Sequence, residues 1–280
     1  MIATRDRRAS TLASLDHLAE LPERPPIVVV DNGSTDDTPR AVARRHPDVE
    51  VIELGRNVGA AARTVGARAL RTPLIAFCDD DSWWAPGALA RAEAVFADNP
   101  RLGLLQARIL VGPEQRLDPT CAAMRRSPVP PEGDSPGPAL VGFIACGAIV
   151  RRAPFLSVGG FHPRLGIGGE EELLALDLAA AGWQLAYVDS VVAHHDPQPS
   201  ADRSGRSASR TRNALWVAWL RRPPAAALGR SVRVAAGALR ERCPRALLDA
   251  ARGLPWVLRE RRALPPRVEH AARRANRPAD

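Results

Sequence analysis

Two short apolar runs in this chain end in acid. Ile27–Val30 runs into Asp31, and Leu74–Cys78 runs into Asp79, Asp80 and Asp81. Short β-rich apolar runs bounded by turn formers read as buried strands. In an open parallel sheet the ligand sits beyond the carboxyl ends of the strands. Carboxylates gathered at one such edge repel unless something positive lies between them. A hard divalent cation carrying phosphate oxygens answers that need. One Asp triplet alone reads equally well as a solvated, helix-capping turn. Its pairing with Asp31 at a second strand end favours a ligand site.

The rest of the first two-thirds continues the alternation. Asn32–Gly33–Ser34 form a turn, and Asp36, Asp37 and Thr38 before Pro39 open a helix to about His46. Val49–Leu54 and Leu102–Val111 read as strands, Ala60–Leu70 as a small-residue helix, and Pro86 starts another helix to about Ala97. Gly112–Pro138 is rich in Pro, Gly, Ser and charge, and reads as a long loop. Apolar periodicity returns in Ala139–Val150. A helix is predicted over Glu171–Ala181, with strand-like Gln184–Val188 and Val191–Ala193 after it. This pattern predicts an α/β fold with a mostly parallel sheet flanked by helices. A polar linker, Asp196–Ser209, leads to an Arg-rich helical tail with breaks at Pro223–Pro224, Pro244 and Pro255. The expected organisation is one domain over 1–196, split into a first half to about 111 and a second over 139–196, with a helical extension over 197–280.

Composition narrows the partners. With 45% apolar and 25% charged residues the chain can build a core, which excludes global disorder. It has no apolar run of spanning length, and MIATRDRRAS carries no signal-like apolar region, so a cytoplasmic chain is expected. Cys78, Cys121, Cys146 and Cys243 form no CxxC pair and read as buried small hydrophobes, not a zinc site or disulfide framework. All 39 basic side chains are Arg, the net charge is +8, and the excess lies from Arg203 onward. Such a tail suits an anionic partner: a membrane surface, a lipid phosphate or a nucleic acid. Arg210, Arg212 and Asn213 with Leu215, Trp216 and Trp219 form a helical segment that fits either an anionic membrane face or an apolar face packed on the domain.

Several motifs in register make the pattern specific. IVVVDNGSTDDT, RNVGAAARTVGARAL and LIAFCDDD are followed by GFIACGAIVRRAPFLSVGGF, GGEEELLALDLAAAGW and VVAHH. In that order they resemble the inverting family 2 glycosyltransferases of GT-A fold, from about Thr4 to His195. The resemblance implies that Asp31 and Asn32 meet the base or ribose of a nucleotide sugar. It puts Asp79 and Asp80 toward ribose and diphosphate, and Asp81 on a divalent metal. Asn57, Gly59 and Arg63 match the loop beside the phosphates and base, where glycine permits close backbone approach. Thr4 and Arg5 fall in a TxxR-like turn, Thr4–Arg5–Asp6–Arg7, on the nucleotide-sugar side.

Counting back from Gly182–Trp183, Glu170 and Glu171 occupy the family's acidic pair, with Glu171 at the catalytic base position. Here Glu stands where Asp is common, and Leu173 where a second Asp often occurs. Read without the family, three acids in a first turn are what the helix dipole favours. The family also carries a histidine facing the metal or diphosphate. Strand alternation allows only one of His194 and His195 to do so, and His194 is the expectation. Imidazole beside carboxylates suits Mn²⁺ better than Mg²⁺. Trp83 and Trp84 either stack on an acceptor sugar or anchor the next helix. Gly147, within Phe143–Gly147, and Gly159–Gly160 resemble an acceptor-side floor.

The expected function is metal-dependent, inverting transfer of a sugar to a hydroxyl acceptor: a glycan, a lipid-linked molecule or a small molecule. UDP- and dTDP-sugars come first among donors. Nucleic acid is not an expected partner, since no nucleic-acid motif is present. The rival readings are an inactive glycosyltransferase-like chain and a basic nucleic-acid-binding module; a nucleotidyltransferase would show a Gly-rich loop near its first strand. One departure stands out. The family opens on an apolar strand, yet only Met1–Ala3 precede Thr4 here. A late start is therefore expected to cost the sheet its central strand and leave backbone groups unpaired.

Overall fold

The computed structural model describes residues 1–131, 133–197, 203–240 and 244–275. Cys243 and the linker residues 198–202 lie outside them. The chain opens with β1 (Ile2–Thr4), α1 (Arg8–Ala19), β2 (Val28–Asp31), α2 (Thr38–Arg45), β3 (Glu50–Glu53) and α3 (Ala61–Ala69). The strands pair in parallel in the order β1-β2-β3, with Ile2 opposite Val29 and Thr4 opposite Asp31. The central strand is therefore present, against expectation. Three residues suffice because β1 is paired on both sides: Ile2 bridges Cys78 in parallel, and the Cys78 N–H donates to the Met1 carbonyl at 3.0 Å.

That bridge joins the first sheet to a second. The second comprises β4 (Leu74–Ala76), β5 (Ser82–Trp84), β6 (Leu102–Val111), β7 (Arg116–Leu117), β8 (Ala148–Arg151) and β9 (Gln184–His195). Its order is β4-β8-β6-β9-β5, with β7 on β6. Only β6 and β9 run parallel in it, so the fold is a parallel N-terminal half continued by a mixed half. Between these strands run α4 (Ala88–Asp98), α5 (Pro119–Met124), α6 (Arg152–Ser157) and α7 (Glu170–Ala180). The β6 run LGLLQARILV is buried along most of its length, as suits a strand covered on both faces. Gln106 at its centre is fully buried. It is satisfied by donating to the Gly147 carbonyl at 3.1 Å and accepting from the Ile144 N–H at 2.7 Å. The Gly112–Pro138 stretch is less of a loop than its composition suggests. It holds β7 and α5, the latter capped by the Asp118 carboxylate accepting from the Thr120 and Cys121 N–H groups. Cys78, Cys121 and Cys146 are buried and free.

The Arg-rich tail forms α8 (Arg203–Arg221), α9 (Pro224–Arg240), α10 (Pro244–Arg259) and α11 (Pro266–Ala275). The last three begin at Pro, whose fixed φ and missing N–H suit a first helical position. Pro255 lies inside α10 and does not end it. Trp216, Val217 and Leu220 of α8 share a core with Leu165, Leu173 and Leu176 of the domain and with Val257, Leu264 and Val268. The Trp216 indole donates to the Ala250 carbonyl at 2.9 Å and meets Trp256 edge-on at 5.1 Å. Of the two readings of this segment, the packed one holds for α8. Ion pairs fasten the helices to α7 and to one another: Arg221 to Asp177, Arg230 to Glu172 through both carboxylate oxygens, and Arg222 to Glu269, both nearly fully buried. Among the described residues no helix is long and apolar enough to cross a membrane.

Candidate active site

The acids predicted to share an edge do share it. Thr4 ends β1, Asp31 ends β2, and Asp79–Asp81 follow β4 at the same carboxyl side. The Thr4 hydroxyl donates to the Asp80 carboxylate at 3.0 Å, two residues beyond the Ile2–Cys78 bridge on each segment. Asp31 is buried. One of its oxygens accepts the Ser34 N–H at 3.0 Å, and the other is buried without a partner. A buried carboxylate oxygen left open is costly unless a ligand completes it.

Asn32 works on the scaffold. Its side chain accepts from the Val58 N–H at 2.7 Å and donates to the Gly59 carbonyl at 3.1 Å, while Asn57 accepts from the Gly59 N–H at 2.8 Å. Together they fix the loop before α3. Gly59 sits at φ +62°, and a Cβ there would lie 2.5 Å from Gly166 Cα. The two halves of the site thus touch backbone to backbone at this glycine, and the Ala60 N–H donates to the Gly166 carbonyl. From α3, Arg63 pairs with Asp79.

The triplet crowds three carboxylates in a partly buried turn. Burial, and then the neighbouring Asp81 carboxylate, push Asp80 up to about 6 against the pull of Arg7. Arg7 is the cation that holds the cluster together, with Nη2 3.0 Å from Asp81 and Nε 3.4 Å from Asp80. Arg5, the arginine expected here, pairs only with its neighbour Asp6 at the surface. The signal was the threonine–arginine spacing itself. β1 ends at Thr4 and α1 begins at Arg8, so the residue that folds back over the sheet edge is Arg7.

The histidine assignment also shifts. His195 lies opposite Ser82 and brings Nε2 to 3.3 Å from Asp81, whose hydrogen bond, and then its charge, raise the imidazole pKa against burial. His194 lies opposite Trp83 on the other face and bonds Gln115 at 2.5 Å. Alternation along β9 enforces the choice. His194 is thereby separated from Asp81, and His195 takes the place expected of it. Trp83 is sandwiched between His17, at 4.2 Å, and His194, at 5.6 Å. Trp84 is fully buried in the core. In this arrangement Trp84 packs in the core and Trp83 stacks on the two histidines. Gly147 is equally a packing glycine, since a Cβ would meet Ile109 at 2.6 Å.

The acidic pair opens α7 as the sequence predicts. Glu171 accepts the Ala145 N–H at 2.6 Å. Burial, and then the charge of Glu170, raise it to about 7, against the pull of that N–H and of Arg63. Glu170 is also raised by burial, and its Oε2 is buried without a partner. Glu172 faces away, into its pair with Arg230.

The segment before this helix is held by the tail. Asn213 of α8, fully buried, donates through its amide to the carbonyls of Leu165 (2.6 Å) and Gly168 (2.5 Å). Sequence reading named this asparagine without giving it that role, because the loop it clasps lies 45–48 residues upstream.

The arrangement is a carboxylate edge with two cations, Arg7 and Arg63, and across from it a carboxyl of raised pKa in the first turn of a helix. Such a set can bind a polyanionic phosphate ligand and accept a proton. Among the described residues no group of three or more His, Cys, Asp and Glu side chains forms a metal cluster.

Comparison with known proteins agrees. The sequence model of Glycosyl transferase family 2 matches residues 1–159. N-acetylglucosaminyl-diphospho-decaprenol L-rhamnosyltransferase of Mycobacterium tuberculosis is 30% identical over 222 residues, covering 66% of this chain and 70% of that one. A pre-mycofactocin glycosyltransferase of the same species is 31% identical over 186 residues, 61% of this chain and 37% of that one. Among solved structures, the fold is similar to a mannosyltransferase from Pyrobaculum calidifontis in complex with GDP-Man and Mn²⁺. The TM-score is 0.62 with 22% identity, over 97% of this chain and 77% of that one. It is also similar to S. aureus TarS 1–349 in complex with UDP-GlcNAc, with TM-score 0.63 and 17% identity, over 78% of this chain and 64% of that one. The chain spans 38% of the longer TarS structure. On a family match over more than half its length, the chain belongs to glycosyltransferase family 2 and is a glycosyltransferase of mixed α/β, GT-A-like fold.

Proposed function

We propose that this glycosyltransferase moves a sugar from a nucleotide diphosphate, UDP- or dTDP-linked, to an acceptor hydroxyl, with inversion and with a divalent metal. The observation that carries the reading is Glu171. It is a largely buried carboxyl raised to about 7 and set across from the Asp79–Asp81 edge, where a general base is most effective near neutral pH. It would take the proton of the acceptor hydroxyl as that oxygen attacks the anomeric carbon from the face opposite the diphosphate. A single displacement inverts the configuration. Ala145 N–H orients the carboxylate, and Glu170 keeps its proton affinity high.

The donor set fits a metal. Asp81 and His195 offer one oxygen and one nitrogen 3.3 Å apart, and these two side chains would hold a Mg²⁺- or Mn²⁺-type ion together with the donor's diphosphate. When bound, such an ion neutralises the leaving diphosphate. Arg7 and Arg63 supply further positive charge beside the triplet, and Asp31 presents its open oxygen to base or ribose. The rhamnosyltransferase relative, whose acceptor is named as a decaprenol-linked diphosphate sugar, supports a lipid-linked acceptor.

The test is thermal unfolding with UDP, dTDP or GDP, each with Mn²⁺ or EDTA. A ligand at 100 times its Kd adds about 2.7 kcal/mol. One nucleotide should raise the midpoint only with metal, and Asp81→Ala should abolish the rise. Indifference to every nucleotide and metal would sink the proposal.

A further inference from the structure

The tail carries two apolar faces, and among the described residues only one of them is covered. On α8 the aromatic side points inward, and α9 and α10 pack over it: Trp219 donates to Ser231 at 3.0 Å, and Gly253 lies flat on the Trp216 ring. The inward sides of α9 and α10 hold Ala227, Ala238, Ala246, Ala250 and Val257, all buried. Their outward sides should then be polar, and they are not. Leu228, Val232 and Leu239 on α9, and Leu248 and Leu258 on α10, are each more than half exposed. Along each helix these positions recur every three or four residues, with exposed Ala225 and Ala236, or Ala251 and Pro255, filling the gaps.

Arginine borders both stripes. Arg233 and Arg240 lie along one flank of the α9 stripe, and Arg245, Arg252 and Arg259 along one flank of the α10 stripe, each seven residues after the last. All five are exposed. Asp249 is the one acid on either helix, and it pairs with Arg252 at 2.8 Å. Among the described residues no acid pairs with Arg233, Arg240, Arg245 or Arg259, whereas the inward Arg230 is tied to Glu172.

We infer that the outward face of α9 and α10 seats this enzyme on an anionic phospholipid bilayer, its leucines entering the headgroup boundary and its arginines meeting lipid phosphates. The combination decides the occupant. Two copies joined through this face would gather the arginines of both in one interface, with Asp249 the one acid that either helix brings to offset them. A nucleic acid would use the arginines and leave the leucines in water. A bilayer of anionic lipid satisfies both, because long arginine stems cover apolar surface while their heads stay at the interface. The inference does not depend on the catalytic reading, since binding is measured without a substrate.

The test is co-sedimentation of the full chain with vesicles of phosphatidylcholine alone or with about 30% phosphatidylglycerol. The protein should sediment with the anionic vesicles and stay in solution with the neutral ones. The pair Leu248→Glu and Leu258→Glu, and separately the triplet Arg245→Gln, Arg252→Gln and Arg259→Gln, should each lower the partition at least about tenfold. These positions are exposed, so melting and nucleotide binding should match the unaltered chain. Three results would overturn the inference: no sedimentation with anionic vesicles at low salt, undiminished binding by the leucine variants, or a concentration-dependent dimer that Leu248→Glu dissolves while vesicles are ignored.

Discussion

The carboxylate edge and the C-terminal helices both gather buried charge, and they treat it in opposite ways. In the helices each buried charge meets its opposite: Arg221 with Asp177, Arg222 with Glu269, Arg230 with Glu172. At the edge, like charges are crowded together. Asp80 is raised by burial and by Asp81, Asp31 keeps an unmatched oxygen, and across from the edge Glu171 is raised by burial and by Glu170. Paired charge fastens a structure, while unmatched charge is held by the fold at a cost and released by a ligand or a proton. The contrast separates the acids that are held in closed pairs from those left open to a ligand or a proton, and it can be broken at several points.

The largest effect on stability should come from cutting a fastened pair. Arg222→Ala leaves Glu269 buried without its main partner and should cost about 3–5 kcal/mol, read as a lower midpoint in urea. The Glu269 carboxyl is held below its ordinary range once both arginines offset its burial. This stabilisation is therefore present above the ordinary carboxylate pKa and is lost as the pH falls below it. The variant's deficit should shrink in acid, and an undiminished deficit would show that packing, not charge, is what was lost.

A smaller effect, on rate, should follow from loosening the clasp between the two regions. Asn213→Ala frees the carbonyls of Leu165 and Gly168 just before α7. Misplacing a catalytic group by an ångström can lower kcat by about 100-fold. We expect a drop of about ten- to 100-fold in kcat with the donor KM little changed. A rise in KM alone would mean that Asn213 serves donor binding.

The smallest and sharpest comparison sets two arginines against each other. Arg7→Ala removes the charge-assisted contacts to Asp80 and Asp81, worth about 1.5–3 kcal/mol, and should weaken donor binding. Arg5→Ala, at a surface pair, should stay within about 0.5 kcal/mol. Equal effects would refute the assignment of Arg7 to the site.

Much of this was legible beforehand, for identifiable reasons. Asp31 and Asp79–Asp81 announce themselves because apolar runs of strand length lead directly into them, and strand direction then puts them on one edge. The position of Glu170 and Glu171 at the start of a helix is legible from the register with the other motifs, since a first-turn acid alone is only what the helix dipole favours. The misses share a cause. Choosing His195 over His194 requires the pairing of Ser82 with His195, and β5 itself is hidden because its Ser-Trp-Trp run is too short to show a period. The central strand survives because pairing on two sides compensates for its three residues. The tail's exposed face is not on the tryptophan-bearing helix, because α10, some 30 residues later, covers those rings. Periodicity finds an apolar face, and only the fold says what lies against it.

The most direct test of the central claim is the pH dependence of donor turnover by the unaltered chain and by Glu171→Gln, with nucleotide binding measured alongside. Glu171 is raised to about 7, so wild-type turnover should climb as the pH passes through that value. The same shift means that stability contributed by the protonated carboxyl is lost as the pH rises from the ordinary carboxylate range to about 7. At pH 8 the glutamine variant should therefore melt higher than the unaltered chain, lose about 10²–10⁴-fold in turnover, and bind nucleotide as before. Wild-type turnover in the variant, or loss of turnover and nucleotide binding together, would contradict the account.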